Sequence, residues 1–447
     1  MKRLALVLVA MVLAPLRAEA TPPDVFGYGS RHIGMGMTGV SFADDYEATV
    51  SNPAGLGRAK TTGLFVGMLA APNWLRLDGE TFLTPAVDGR MKEMDTASGA
   101  MLGFQLPIPF GGPLEDVLTL GAGFYTPNNA VLRVDLPYTD MPQWPVLGRA
   151  HSVSINVGLG VDLDRWVPGL RFGVGTAALA TIVGTLHVTI DEAKQFRSRT
   201  ENQILAQFAP VLGATYDTGP FRFGLSYRGE LRADIDLEID VSGFPIELPR
   251  IEISAVAQYA PHTLAAEAAY SPSDAFLVAL NLTYRRWSAF PGTLGKTTRS
   301  SYEPPHPDFH DTLSPRVGGE YRFFRGRTRL SLRGGYAFEP TPSGPARIAP
   351  RRNVPAHEEE NRMVPLRYLD SHRHVLSLGG GLQFKSKSGA ILDANLFGAM
   401  HRIAERTHEV SRRTAAEAAE SGEPEITTPM VSSGFMLVAG GNVGVSW

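Results

Sequence analysis

The eight residues FRFGLSYR, at positions 221–228, alternate strictly between apolar and polar positions. An extended chain places Phe221, Phe223 and Leu225 on one face and Arg222 and Arg228 on the other. A period of two predicts a β-strand with one apolar and one polar face. Such a strand fits a soluble sandwich, whose apolar faces look inward, or an outer-membrane barrel, whose apolar face contacts lipid.

The same alternation recurs in many other segments. Phe276, Val278 and Leu280 share one apolar face, and Leu330 and Leu332 share another. We predict that these faces contact lipid and that the polar faces, which carry Arg222, Arg228, Arg285, Arg329 and Arg333, look into the lumen. Fourteen strands are predicted, at 61–70, 97–106, 117–125, 149–161, 170–189, 203–216, 221–237, 262–270, 275–287, 313–324, 328–338, 370–384, 389–400 and 433–446.

The links between these strands alternate in length. Long links such as 238–261 and 339–369 follow short ones such as 217–220 and 325–327. Long loops on one rim, tight turns on the other and an even number of strands are typical of outer-membrane barrels. A compact soluble domain seldom holds such long structureless links. The fold class predicted is therefore all-β: a fourteen-stranded antiparallel transmembrane β-barrel, with the strand at 61–70 closing against that at 433–446.

One segment is also a candidate for a transmembrane helix. Residues 172–190 contain no Asp, Glu, Lys or Arg. Their glycines (Gly173, Gly175 and Gly184) and their threonines disfavour a helix and suit a strand. We predict one long strand there.

Composition excludes several classes of protein. The 447 residues include no cysteine, which rules out disulfide scaffolds, thiolate zinc sites and a cysteine nucleophile. The net charge of −3 does not suggest a nucleic-acid partner. The mean hydropathy of −0.06 is too low for a helical membrane protein. No phosphate-binding loop or dinucleotide fingerprint is present, and no cofactor is expected.

The two ends of the chain carry targeting signals. Lys2 and Arg3 precede the apolar run 4–13, and Ala18-Glu19-Ala20 offers a signal-peptidase site. Residues 1–20 are predicted to be a cleaved signal peptide. At the other end the predicted last strand finishes on Trp447, and a terminal aromatic strand is what the barrel-assembly machinery of the outer membrane typically recognises. Aromatic residues near strand ends are expected to form an interfacial girdle: Trp166, Tyr216, Tyr270, Trp287, Phe338 and Phe384.

Residues 21–60 depart from the strand pattern. They contain the glycine-rich run Gly34-Met35-Gly36-Met37-Thr38-Gly39, the acidic stretch 43–48 and the motif Ser51-Asn52-Pro53-Ala54-Gly55. This order resembles the N-terminal hatch of the FadL family of outer-membrane transporters for fatty acids and aromatic hydrocarbons. Segments 284–290, 315–321, 332–336 and 370–374 resemble the same family, so the likeness extends over nearly the whole exported chain.

The resemblance implies an organisation and a function. It implies a hatch at 21–60 inside a barrel at 61–447, integral to the bacterial outer membrane, in contact with its lipid and expected to be a monomer. A hydrophobic small molecule would bind between hatch and wall and leave passively through a kink-made opening in the wall. The expected ligand contacts are Phe26, Ile33, Met35, Met37 and Phe42, and the expected gating residues are Asn52, Pro53 and Ala54 near the periplasmic end.

Other chemistry is poorly supported. In 151–156, His151 lies on the face opposite Ser152 and Ser154, which argues against a hydrolase, and no enzyme is expected. His306, Asp308, His310 and Asp311 could bind a metal, but their proline-rich context fits a polar loop equally, and no metal is expected. The acidic runs 357–360 and 405–423 suit solvated loops, with a short helix expected at 414–420.

Two other functions stay open. A barrel of the same superfamily could serve as a secretion or surface-protein partner without transporting. A polar porin is disfavoured, because a plug of this length would block a water-filled lumen.

Overall fold

A computed structural model describes residues 22–79, 96–128, 153–190, 196–242, 251–292, 305–350, 363–366, 368–409 and 430–447. Only the backbone is described at 22, 79, 180–190, 196–204, 233–242, 251–255, 257 and 363–365. The predicted signal peptide, His151 and Ser152, and the predicted helix at 414–420 lie outside the described residues.

Strands dominate the fold. In chain order they are β1 Gly63–Ala71, β2 Asn73–Gly79, β3 Ala97–Pro107, β4 Leu118–Pro127, β5 Ser154–Asp162, β6 Leu170–Ile190, β7 Phe196–Thr218, β8 Phe221–Arg228, β9 Leu231–Ser242, β10 Ile251–Ala260, β11 Thr263–Ser273, β12 Phe276–Arg285, β13 Thr312–Arg325, β14 Thr328–Glu339, β15 Arg347–Pro350, β16 Met363–Leu366, β17 Arg373–Lys385, β18 Ile391–His408 and β19 Met430–Ser446. Three short helices precede them, α1 Pro22–Phe26, α2 Ser30–Gly34 and α3 Ala48–Ser51. Short 3₁₀ helices lie at Pro53–Arg58, Gly112–Leu114 and Trp287–Ala289.

Seventeen of the strand segments form one closed sheet, and β15 and β16 form a separate hairpin. The pairs β1–β2, β8–β9 and β10–β11 each continue one wall strand across a short break, so the wall is a barrel of fourteen strands. Neighbouring strands pair antiparallel, and β1 pairs with β19 from Gly63↔Ser446 to Ala70↔Ala439. The predicted barrel and its predicted closure are confirmed.

The wall strands extend further than the alternation predicted. Residues 73–79 and 251–260 were expected to be loops and form β2 and β10. The segment at 172–190 is strand, as predicted, and β6 pairs antiparallel with β7 over its whole length. The second half of β6 also pairs in parallel with β9, from Ile182↔Ile235 to Thr189↔Ser242. The ladder between β7 and β8 ends at Val211. The residue before it, Pro210, has no N–H to donate to the ladder.

The outer face carries a continuous apolar belt. Phe223, Leu225, Leu280 and Leu332 are between 45% and 64% exposed. A folded protein rarely leaves so many large apolar side chains in water, and such a belt is what a barrel presents to the hydrocarbon of a membrane. The faces predicted to contact lipid all point outward.

The inner face carries the predicted arginines, and three of them form ion pairs with carboxylates. Arg228 pairs with Asp24 at 2.7 Å and Arg285 with Glu339 at 2.6 Å. Arg333 is buried and pairs with Glu320 at 2.9 Å. The pairing supports the predicted lumenal face.

Four of the six aromatic residues predicted for the girdle have the exposure that it requires. Trp166, Tyr216, Tyr270 and Phe384 are exposed on the outer surface. The prediction for Trp287 is wrong. Its side chain is buried, because the chain forms a 3₁₀ helix there and the indole packs against Phe309. Phe338 is only partly exposed and lies against the rings of His372 and His374.

Residues 22–60, the hatch, lie inside the ring of strands. Their side chains meet inward-facing groups on β3 through β18, and most are buried. Among the described residues, none of the helices has the length and apolar character that crossing a membrane would need.

Candidate functional site: the interface of hatch and wall

Glycines on both surfaces bring the hatch backbone onto the wall. Gly36 has φ +68°, and a Cβ there would lie 2.7 Å from the backbone nitrogen of Tyr336. On the wall side, a Cβ at Gly335 would lie 2.3 Å from the nitrogen of Gly36. Gly34 meets Gly379 in the same way. Gly34 and Gly36 therefore allow this close approach, and any larger residue would push the hatch off the wall.

A wall carboxylate holds the glycine-rich run. Glu267, on β11, accepts hydrogen bonds from the backbone nitrogens of Gly39 and Ser41, each at 2.9 Å. It also accepts from the Ser41 hydroxyl at 2.7 Å and from the Asn281 amide at 3.1 Å. Glu267 is 4% exposed. A buried carboxylate with four donors is a strong, directional anchor.

A second carboxylate holds α2. Glu320, on β13, accepts from Arg31 of the hatch at 2.9 Å and from Arg333 of β14 at 2.9 Å, and it contacts Arg322. Arg333 in turn donates to the Asn395 side chain at 2.9 Å. One hatch arginine is thereby tied, through Glu320 and Arg333, to β13, β14 and β18.

A third carboxylate is linked to the hatch through a wall arginine. Glu339 accepts from Arg285 at 2.6 Å and from Arg316 at 2.8 Å and 3.0 Å. The remaining nitrogen of Arg316 donates to the Met37 carbonyl at 3.0 Å. The hatch backbone is therefore bonded to a wall ion cluster as well as to single side chains.

Inside the hatch, Glu47 caps α2. Its carboxylate accepts from the backbone nitrogens of Arg31 at 3.0 Å and His32 at 2.8 Å, groups that a helix N-terminus leaves unpaired. Burial raises the pKa of the Glu47 carboxyl, against the lowering effect of these two bonds. Burial, and then Arg316, lower the pKa of His32 to about 3. The neutral ring therefore donates from Nδ1 to the Thr38 carbonyl at 2.8 Å.

The three predicted gating residues lie together, in the half of the barrel nearer the rim where short turns join neighbouring strands. The Asn52 amide donates to the carbonyls of Val40 at 2.7 Å, Ala214 at 3.1 Å and Leu225 at 3.3 Å. Its oxygen accepts from the Ala54 nitrogen at 3.1 Å. One fully buried side chain thus joins the hatch to β7 and β8. Pro53 begins the 3₁₀ turn that follows.

The opposite side of the hatch is apolar. Phe26, Ile33 and Met37 belong to one buried cluster with wall residues of β1, β3, β4 and β17–β19, including Phe65, Met101, Tyr125, Val375 and Phe397. Tyr46 stacks on Phe65 with ring centroids 4.4 Å apart. Contacts of this kind have no fixed direction, so contacts with an apolar molecule can replace them.

The five predicted ligand contacts do not form one group. Met35 and Phe42 lie in a second cluster with Ala269, Leu277 and Ala279, on β11 and β12. That cluster borders the polar anchors, so only Phe26, Ile33 and Met37 share the large apolar surface.

A hatch hydroxyl is inserted into the wall itself. Leu102 of β3 and Phe124 of β4 are ladder partners. The Phe124 nitrogen donates to the Tyr28 hydroxyl at 3.0 Å, and that hydroxyl donates to the Leu102 carbonyl. The seam between β3 and β4 is therefore completed at this level by a side chain of the hatch.

Sequence reasoning missed Tyr28 and the carboxylates Glu267, Glu320 and Glu339. Each acid stands alone on the polar face of a strand otherwise made of small, apolar or arginine residues, as in AAEAAY at 265–270 and GGEY at 318–321. An isolated acid of that kind, facing a plugged lumen, is the signal that could have found them.

The loop considered for metal binding is held by an arginine. Asp308 contacts Arg347 and lies 3.0 Å from the His306 ring. Among the residues that the structure describes, no group of three or more His, Asp or Glu has the geometry of a metal site. On β5, Ser154 is fully buried and accepts from the Asn156 amide at 3.0 Å.

The closed barrel with an internal hatch is similar to known structures. A crystal structure of a Pseudomonas aeruginosa FadL homologue matches with a TM-score of 0.58 and 14% identity, over 96% of this chain and 99% of that chain. The P. putida toluene transporter TodX matches with a TM-score of 0.50 and 13% identity, over 94% of this chain and 99% of that chain. At identities this low, the structural match shows a shared fold alone. No protein-family model and no curated protein matches the sequence.

Proposed function

We propose that this chain is a FadL-type transporter, which carries hydrophobic small molecules passively across the bacterial outer membrane. The observation that carries the proposal is the two-sided hatch: carboxylates and amides bond one side to the wall, and mainly apolar contacts join the other side to it. The TodX structure, described as a toluene transporter, has the same fold and supports this class of function.

The ligand site proposed is the apolar interface around Phe26, Ile33 and Met37. A hydrophobic molecule there would replace hatch-to-wall contacts with contacts of its own, which conserves buried apolar area. Met35 and Phe42, in the separate cluster, are assigned to packing of the hatch against β11 and β12. Fatty acids and aromatic or aliphatic hydrocarbons are the ligand classes that suit this surface.

Release is proposed to require movement of the hatch. Asn52, Pro53 and Ala54 lie where the hatch is bonded to β7 and β8, so breaking these bonds frees the segment that leads to β1. The Tyr28 bridge supports an exit between β3 and β4, because withdrawing the hydroxyl removes a bond from that seam. Transport would follow the solute gradient.

The surroundings proposed for the protein follow from its outer surface. The apolar belt would contact outer-membrane lipid, and β19, followed by the exposed Trp447, would be recognised by the barrel-assembly machinery. We propose a monomer with no catalytic role and no nucleic-acid partner.

The test is uptake of a hydrophobic fluorescent probe by cells that carry equal amounts of heat-modifiable barrel. Asn52→Ala and Pro53→Ala are expected to raise uptake without preventing assembly, because both loosen the hatch. Ser386→Ala, in an exposed short turn, is the matched control and should leave uptake unchanged. Equal uptake by wild type, both hatch variants and cells lacking the protein would reject transport and favour a secretion partner.

A further inference from the structure

Four exposed cations lie together on the rim where short turns join the strands. Arg325 and Arg327 lie at the turn between β13 and β14, and Lys385 and Lys387 at the turn between β17 and β18. The two turns are adjacent, because the Lys385 nitrogen donates to the Arg327 carbonyl at 2.9 Å. No acid among the described residues pairs with any of the four side chains.

Elsewhere on this rim, cations are accompanied by acids. Asp162 pairs with Lys60 at 2.7 Å, and Asp217 pairs with Arg58 at 2.7 Å. The other short links together hold the acids Glu115, Asp116, Asp162, Asp164, Asp217 and Asp274. The four cations are therefore a local excess of positive charge, and such an excess attracts an anionic partner.

Next to these turns, the outer face of the wall has an apolar groove of about 680 Å³. The small residues Gly380, Ala394 and Gly441, on the adjacent strands β17, β18 and β19, form its floor. Leu396 lies opposite both glycines and is 71% exposed, because neither glycine has a side chain to cover it. The other large apolar side chains around the groove are Val66, Met68, Leu330, Leu382 and Val443. Sites that hold small molecules have volumes of about 300–1,000 Å³.

The wall itself does not require a glycine at position 380. Beyond its chain neighbours, the nearest atom to a Cβ there would be the Ser331 carbonyl oxygen at 3.9 Å, which is an ordinary contact distance. By contrast, a Cβ at Gly379, which faces the hatch, would lie 3.2 Å from the Cα of Gly34. Glycine weakens the interior of a strand and often marks the close approach of a ligand. Gly380 therefore points to a ligand on the lipid-facing side.

The groove and the cations are spaced like the parts of a lipid. Leu330 and Leu382, at the near end of the groove, lie three residues from Arg327 and Lys385 along the chain, which is about 10 Å in a strand. Wall strands are tilted, so the difference in depth is smaller than this length. The headgroup region of one leaflet is about 5–8 Å thick. The cations therefore lie at the level of the lipid phosphates, and the groove lies in the hydrocarbon.

We propose that this part of the outer surface binds an anionic phospholipid of the periplasmic leaflet, with an acyl chain in the groove and the phosphate between the four cations. Short turns on the periplasmic side are typical of outer-membrane barrels. Clusters of Lys and Arg at a membrane surface attract anionic head groups, and each cation adds to the attraction. The two parts of the site call for one molecule with a charged head and an apolar tail. The site is separate from the hatch and does not depend on transport.

The first measurement needs only the wild-type barrel, purified in a neutral detergent. It is titrated with dioleoyl phosphatidylglycerol or dioleoyl phosphatidylcholine, which have the same tails and differ in the net charge of the head. Native mass spectrometry counts the bound lipids. The anionic lipid is expected to bind about tenfold more tightly at low salt, and the preference should fall as salt is raised. Equal affinities would overturn the proposal. Barrel dimers in place of lipid complexes would assign the groove to a second copy and overturn it as well.

Replacing the four cations by glutamine tests the head-group part of the site. The substitutions, made together, are Arg325→Gln, Arg327→Gln, Lys385→Gln and Lys387→Gln. This variant should bind both lipids with the affinity that the wild type has for phosphatidylcholine. The control carries Arg76→Gln and Arg402→Gln, which remove exposed cations near the opposite rim, and it should keep the preference. A preference that survives the fourfold substitution in a heat-modifiable barrel would overturn the assignment.

Filling the groove tests the acyl-chain part. Gly380→Leu adds a side chain where a Cβ has room, so the wall is kept and the groove is filled. It should weaken the binding of both lipids about tenfold, the effect of withdrawing roughly two methylene groups from contact. Gly319→Leu is the matched control, because Gly319 faces outward on β13 with its nearest atom 3.8 Å from a Cβ, outside the groove. Lipid binding that is equal in the two variants would show that the groove holds no acyl chain.

Discussion

The two sides of the hatch are joined to the wall by different interactions. Towards the polar arc, formed by the inward side chains of β7, β8 and β11–β14, the contacts are hydrogen bonds and ion pairs with fixed geometry. Towards the apolar arc, formed by those of β17–β19, β1, β3 and β4, they are mainly packed aromatic and aliphatic groups. Directional bonds fix a position, whereas apolar contacts depend on area and can be remade with another molecule. A plug that must hold its place and still admit a ligand needs both.

The largest expected effect on hatch stability comes from removing a carboxylate that anchors the hatch to the polar arc. Glu267→Ala leaves the backbone nitrogens of Gly39 and Ser41 buried without an acceptor. We expect it to lower the free energy of hatch opening by about 2–5 kcal/mol, read by native-state hydrogen exchange of peptides from 22–60. Glu405→Ala, on an exposed side chain, is the control. Exchange unchanged from wild type would show that the polar arc does not hold the hatch.

The next largest effect is expected at Asn52, where two substitutions test whether the side chain holds the hatch as a hydrogen-bond donor. Asn52→Ala removes donation to the carbonyls of Ala214 and Leu225 and should cost about 1–3 kcal/mol. Asn52→Asp is nearly the same size but places a carboxylate against those carbonyls, so it should open the hatch more than alanine does. The measurement is protease cleavage of the hatch in the assembled barrel. If aspartate were tolerated better than alanine, hydrogen bonding would not explain this contact.

A smaller effect is expected on the apolar arc. Ile33→Val removes one methylene from the buried cluster and should cost about 1 kcal/mol of hatch stability. Methyl dodecanoate should recover that loss, because its chain fills the space left, and should not recover the loss from Glu267→Ala. Hydrogen exchange with and without the ester measures both. Equal recovery in the two variants would erase the distinction between the arcs.

The sequence predicts the wall better than the interface, for a physical reason. Alternation of apolar and polar residues is imposed by lipid on one side and lumen on the other, so the faces of Phe221–Arg228 could be inferred directly. The partner of an inward side chain depends on how the hatch folds, and no local pattern encodes that. Asn52 stands in a recognisable motif and was found, whereas Glu267 and Tyr28 act only through groups far away in the chain.

The smallest expected effect is at Tyr28, whose hydroxyl makes directional bonds on the apolar side. Tyr28→Phe keeps the ring in its cluster and removes only the hydroxyl between Phe124 and Leu102. These two residues are already ladder partners, so a small shift lets the Phe124 nitrogen donate directly to the Leu102 carbonyl, and the net cost should stay below about 1 kcal/mol. Exchange of the Phe124 amide should therefore remain slow, while that of the hatch rises slightly. If Tyr28→Phe instead opened the hatch as far as Glu267→Ala does, a hydrogen bond would be holding the apolar arc as well. The contrast between a fixed side and an exchangeable side would then be lost.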